Sequence, residues 1–367
     1  MIYLDYQATT PLAPEVRAAM EPWLDKFANP HSPNRWGREA AAAIAVAREQ
    51  VAAAMPPDGE LIFTSGATEA INWAMKGLRV PGRNKVVTVA TEHAAVLDCC
   101  EWLKTQGHEV VRLPVRPDGL VELDEVAAAV DGRTLLVAAM LVNNEVGVIQ
   151  PVGEIAAIAH RAGALMLCDA VQGFGRMNVP DGPDLVAVCA HKLHGPKMIG
   201  GLWLKSGLQL EPFLHGGGQE QGLRSGTLSP MLCAGFGSAA ALAAARRAAD
   251  RQHIERLWSA AMHVLGPGWK INGSAEQRYR GNLNIRRDGL DGARLMGDLR
   301  EIAFSLGSAC ASGSGRPSHV LRALGLTDAQ ARSSLRLGFG RYTTEQELTD
   351  ACRKIAAAAD AQARFAA

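Results

Sequence analysis

Between residues 60 and 205 the chain alternates short apolar runs with amphipathic segments, and this constrains its fold more than any other feature. The runs ELIFTS, KVVTVA, EVVRLPV, TLLVAAMLV, ALMLCDA, DLVAVCA and GGLWLK are largely continuously apolar. A strand that is apolar on both faces must be covered on both faces. The intervening TEAINWAMKGL, AAVLDCCEWLKTQG and PVGEIAAIAHRAG have helical spacing, and Gly107 and Gly163 are placed to end helices. The pattern predicts an α/β domain built on a mostly parallel, seven-stranded sheet.

The texture changes after an alanine-rich stretch at residues 229–265. GNLNIRR and SSLRLGFGR read as strands, and GARLMGDLR, PSHVLRALG and TTEQELTDACRKIAAAA as helices. The last opens with a Thr-x-x-Glu capping box, Thr344 and Glu347. A second, smaller α+β domain is expected. Thr227 to Ala245 carries no charge, which raises the question of a membrane span. Its Ala, Gly and Ser contribute little to membrane transfer, so a buried helix is the better reading.

With 367 residues, 48% of them hydrophobic and 20% charged, the chain has material for a sizeable core. A net charge of +1 gives no global field for nucleic acid or an anionic membrane. Seven scattered cysteines point to free thiols in a reducing compartment, and MIYLDYQATTPLAP lacks the pattern of a signal peptide. A cytoplasmic location is expected.

Three features at strand ends carry chemistry. FTSGATEAIN runs from a strand through small residues into a helix, where free N–H groups and the Thr68 hydroxyl can seat a phosphate. LCDAVQG places Asp169 at the carboxyl end of an apolar strand, with Gln172 just beyond. VCAHKLHG ends the next strand with Lys192, whose amine should be made nucleophilic by burial. Cys189, His191 and His194 match no common zinc spacing, so no metal site is expected. An acid for a pyridinium nitrogen, a Schiff-base lysine and a phosphate seat together describe pyridoxal phosphate (PLP). One further segment, SLGSACASGSG at 305–315, sets Cys310 among residues that favour a mobile, solvated chain. It reads either as a linker with an incidental cysteine or as a nucleophile on a swinging loop.

The chain resembles the cysteine desulfurases, of the class V aminotransferase group of fold-type-I PLP enzymes, over nearly its full length. The resemblance rests on YLDYQATTP, FTSGATEAIN, TEHAAVLD, LVNNEVGVIQ, DAVQGFG, AHKLHGPK, GGGQEQGLRSGT, SLGSACASGSGRPSHVLRALG and SSLRLGFGR. It implies a large PLP-binding domain at 13–248. Residues 1–12 and 249–367 would form the small domain, with a mobile catalytic loop near 305–318. Lys192 would hold PLP, Asp169 would keep its ring nitrogen protonated, and Gln172 would bond the ring hydroxyl. His93 would stack on the ring and assist proton transfers. Ala67, Thr68 and His191 would hold the phosphate, joined by Thr227 from the second subunit of a homodimer. Asn144, beside the cofactor, and Arg336 would take the substrate carboxylate.

On this resemblance the opening thiol has a purpose. Cys310 would take sulfur from L-cysteine as a persulfide, with release of L-alanine, for a sulfur acceptor or scaffold protein. The loop is similar to that of the branch serving iron–sulfur assembly and nitrogenase. Selenocysteine lyase and class V aminotransferase activities use the same fold, and a non-enzymatic partner protein is a further alternative. The sequence also departs from the family. Cys189-Ala190 replaces the usual Ser-Gly at the phosphate, and a thiol is a weaker donor than a hydroxyl. Gln221 stands where an arginine is common, and NPHSPNRWG lacks the usual histidine. The long C-terminal extension that docks a scaffold protein in some relatives is absent or truncated.

Overall fold

The computed structural model describes residues 1–306 and 317–366. After a two-residue strand, β1 (Ile2–Tyr3), all seven apolar runs form one sheet. They are β2 (Gly59–Thr64), β3 (Lys85–Val89), β4 (Glu109–Leu113), β5 (Thr134–Met140), β6 (Leu165–Asp169), β7 (Leu185–Cys189) and β8 (Gly200–Lys205). The order is β2-β8-β7-β6-β5-β3-β4. Only β8 is antiparallel to its neighbours. The link from β7 to β8 is too short for the long crossover that a parallel pair needs, so the chain turns back.

Both faces of this sheet are buried, as the continuous apolar runs require. Leu136 and Ala138 of β5 pack on one side with Ile62 and Leu202. Val137 and Ala139 pack on the other with Phe63 and Trp203. At the conventional ~25 cal/mol per Å², each such fully buried Leu, Ile, Val or Phe side chain stabilises the fold by roughly 1.5–3 kcal/mol.

The alanine-rich stretch is one helix, Pro230–Leu265, of 36 residues. Ser229 caps it, and Pro230 occupies the first turn, where its missing N–H costs nothing. Its small residues have a packing purpose. A Cβ at Gly237 would come within 2.6 Å of the Ala47 Cα, so glycine lets this helix lie directly against the helix Arg35–Ala52. Among the described residues, no helix is long and apolar enough to cross a membrane.

A separate core gathers Leu4, Leu257, Trp258, Leu283, Leu335 and Phe339. It lies around β9 (Lys270–Ile271), β10 (Asn282–Arg286), β11 (Ile302–Ala303), β12 (Ser305–Leu306) and β13 (Ser334–Gly338). Four of these form the antiparallel order β12-β13-β10-β9, while β11 pairs in parallel with β1. The expected capping box is present: Thr344 N–H donates to Glu347 at 2.9 Å, and Glu347 N–H to the Thr344 hydroxyl at 3.2 Å. It opens the C-terminal helix Glu345–Ala366.

Candidate active site

The parallel strands of the large sheet all finish at one edge, and there the chain leaves a cavity of about 670 Å³. Open α/β sheets bind ligands at this edge because the turns after the strands converge on it. Ala67, Thr68, His93, Asn144, Asp169 and Gln172 line the cavity, as do Cys189, His191, Lys192 and Arg336. Ten of the twelve expected site residues are thus together. Thr227 is exposed and is not among the lining residues. Cys310 and its loop lie outside the described residues.

Asp169 ends β6, and its Oδ1 accepts the N–H of Val171 at 2.9 Å. Burial raises its pKa, while the Val171 N–H, His93 and Lys192 oppose that rise. Such a carboxylate is best served by a cation held against it. Lys192 lies at the end of a single 3₁₀ turn after β7, Ala190–Lys192. Its Nζ donates to the carbonyls of Gln7 and, at 2.7 Å, of Ala8. Gln172 is buried, and its Nε2 also donates to the Gln7 carbonyl, at 2.9 Å. Its Oε1 accepts from Arg176 at 2.6 Å, which fixes the orientation of the amide.

The other end of the cavity is the start of the helix Ala67–Gly77. First-turn N–H groups of a helix have no intrahelical partner and favour an anion. Glycine at 200 is required here, because a Cβ would come within 2.8 Å of the Gly66 backbone. Glu69 anchors the turn by accepting from Ser65 N–H at 2.7 Å and from Arg224 Nε at 2.8 Å. Although burial acts to raise its pKa, Arg224 and Ser65 hold the Glu69 carboxyl below the usual range. His191 Nδ1 lies 3.2 Å from Thr9 Oγ1. Burial, with Lys192, Lys197 and Arg176 nearby, lowers its pKa to about 4, so the ring is neutral near pH 7.

At the substrate end, Arg336 projects from β13 and donates to Asp5 Oδ1, Ser305 Oγ and the Asn144 carbonyl at 2.8, 2.9 and 3.1 Å. Sequence reasoning named Arg336 but missed Asp5. It also gave no role to Gln7 and Thr9 on the N-terminal strap, or to Lys197 and Met198, all of which line the cavity. YLDYQATTP was a visible signal for the strap and AHKLHGPK for Lys197; nothing local marks Met198. The buried Glu92 was missed as well. One of its oxygens accepts Met140 N–H at 2.8 Å, and the other has no partner among the described residues. Burial raises its pKa well above the ordinary value.

The chemistry of this donor set fits PLP: a buried acid for the ring nitrogen, an amine for the carbonyl carbon and a helix N-terminus for the phosphate. A larger cleft of about 830 Å³ holds none of the expected site residues other than Lys192.

Comparison with known proteins agrees with this geometry. The family model for aminotransferase class-V matches residues 2–350. The chain is 42% identical over 372 residues to a cysteine desulfurase IscS of Rickettsia akari (strain Hartford), covering 96% of this chain and 91% of the relative. A solved NifS-like protein superposes with a TM-score of 0.90 at 33% identity, over 97% of this chain and 98% of its own. A structure described as SspA in complex with cysteine gives 0.83 at 32% identity, over 94% and 100%.

Proposed function

The chain belongs to the aminotransferase class-V family, and from that premise we propose that it is a PLP-dependent cysteine desulfurase. The observation that carries this reading is Asp169 and Lys192 at neighbouring strand ends, facing one cavity with the N-terminus of helix Ala67–Gly77. The cysteine named in one solved relative's title supports the substrate class.

When bound, PLP supplies an electron sink for the substrate. Lys192 holds its carbonyl carbon, Asp169 keeps a proton on its ring nitrogen, and Gln172 bonds its ring hydroxyl. The Ala67–Thr68 turn and His191 would hold its phosphate, with Cys189 where the family's serine stands. His93 moves protons. Asn144 and Arg336 orient the substrate carboxylate. The Cys310 thiolate then attacks the substrate sulfur. A Cβ–S bond breaks, an S–S bond forms, and a proton reaches the carbon that becomes the alanine methyl.

The wider reading is a cytoplasmic homodimer that passes sulfur to an acceptor protein in iron–sulfur or related assembly. Its support is the identity to proteins named IscS and the six buried, free cysteines among the described residues. In that dimer Thr227 reaches the second cavity's phosphate. A large domain at 13–248 and a small one at 1–12 and 249–367 accord with Leu4 packing among C-terminal side chains.

The test incubates PLP-loaded protein with L-cysteine and measures L-alanine, sulfide and thiol masses. Alanine should form, with a persulfide on Cys310, and Lys192→Ala should abolish both turnover and the visible absorbance of bound PLP. No alanine from the wild-type protein refutes the desulfurase reading.

A further inference from the structure

An arginine has five N–H donors, and both of its two-pronged edges use Nη2. In Arg336, Nη2 donates to both Asp5 Oδ1 at 2.8 Å and Ser305 Oγ at 2.9 Å. Ser305 in turn donates to Asp5 Oδ1 at 2.9 Å, closing a three-residue ring of hydrogen bonds. Nη1 donates to the Asn144 carbonyl at 3.1 Å. Nε is buried with no partner among the described residues. The fold supports this arrangement. Ser305 of β12 is paired in register with Arg336 of β13, and Asp5 forms a bridge with Gly338 two residues farther on. Arg336 is only 4% exposed, so it has little room to turn.

Asp5 and Ser305 thus hold the guanidinium at Nη2, and Arg336 lines the cavity that a carboxylate would enter. The Asn144 side chain, which makes no hydrogen bond within the described residues, lines the same cavity. We propose that Asp5 is a positioning residue for substrate recognition. It holds Arg336 at Nη2 and so fixes the guanidinium in the orientation in which it and Asn144 meet the substrate carboxylate. This rests on the desulfurase reading only for the identity of the substrate. Asp5 holds Arg336 in the same way for any amino acid whose carboxylate sits there.

The test titrates PLP-loaded wild type, Asp5→Ala, Asp5→Asn and Ser305→Ala with L-cysteine, L-alanine and cysteamine, following the cofactor's absorbance. Cysteamine has the amine and thiol of cysteine and no carboxylate. Asp5→Ala should weaken both carboxylate ligands about tenfold, because a guanidinium no longer held at Nη2 turns out of place and loses the equivalent of one charge-assisted hydrogen bond to the ligand. Cysteamine should stay within about twofold, since the lost bond acts only on a carboxylate. Asp5→Asn keeps an acceptor oxygen and should recover most of the loss. Ser305→Ala, which leaves Asp5 in place, should show a smaller loss in the same direction and covers the case that Asp5→Ala does not fold. In turnover the loss should fall on KM more than on kcat, and PLP affinity should not change. Equal weakening of cysteamine, or unchanged carboxylate binding in Asp5→Ala and Ser305→Ala, overturns the proposal. A wild type that binds L-alanine but makes none from cysteine refutes the desulfurase reading and leaves the Asp5 comparison fully readable.

Discussion

His93 Nδ1 accepts a hydrogen bond from the backbone N–H of Ala95 at 3.1 Å, so the proposed proton carrier is also the N-cap of the helix Ala94–Thr105. An accepting Nδ1 carries no proton, and the neutral ring therefore bears its hydrogen on Nε2. One residue fixes both a helix start and a tautomer.

The two duties can be separated. Asparagine caps helices as well as any residue but has no ring nitrogen to exchange protons. His93→Asn should keep the wild-type melting temperature within a degree or two and still bind PLP, while alanine formation collapses. His93→Ala should lose the cap too, at about 1 kcal/mol of stability. Thermal melts and turnover of both variants check this. A His93→Asn enzyme with near-normal alanine release removes His93 from proton transfer.

A pH effect follows from His194, which lies between Tyr6 and Tyr342 and is 7% exposed. Burial lowers its pKa to about 4, against the Pro11 carbonyl, which favours the charged form. A histidine depressed in the folded state binds more protons when unfolded, at every pH between about 4 and 6.5. Its contribution is complete above about 6.5 and is lost as pH falls through that window. Between pH 7 and 5 the loss from this one group is about 2 kcal/mol. His194 has φ of 67°, so asparagine, which tolerates that conformation, is the replacement to use. Urea midpoints from pH 7 to 5 should fall less steeply in His194→Asn than in wild type. Equal slopes refute the assignment.

What was legible in the sequence follows from range. The strands of the large sheet show themselves because both faces are buried, and Asp169 and Lys192 are readable because they terminate such strands. The alanine-rich stretch reads as a helix locally, whereas its partner, the helix Arg35–Ala52, becomes visible only through the Gly237–Ala47 contact. The Asp5–Arg336 pair joins the two ends of the chain, and no spacing rule reaches that far. The two-residue strands β1, β9, β11 and β12 are too short to show a period. One miss was avoidable. Thr327 and Gln330 form a capping box with the same sequence signature as Thr344 and Glu347.

Cys189 offers the last test, because it stands where the resembling family has a serine. It ends β7, is 3% exposed and lines the cavity beside the Ala67–Thr68 turn. Burial pushes its thiol up to about 12, against the pull of Lys192, so the group is a neutral thiol near pH 7. No thiolate is there to repel a phosphate, but S–H is a weak donor. A hydroxyl in the same place forms a stronger bond to an anion, and hydrogen bonds to charged groups are worth about 1.5–3 kcal/mol net. Cys189→Ser should therefore tighten PLP about tenfold, the equivalent of ~1.4 kcal/mol. The opposing effect is the cost of burying a hydroxyl that finds no partner, about 1–3 kcal/mol of stability. The two effects are read by different measurements, PLP dissociation and the apo-protein melting temperature. Tighter PLP with an unchanged melt places the side chain on the phosphate. Unchanged or weaker PLP with a lower melt shows that Cys189 serves packing alone and that the phosphate is held without it.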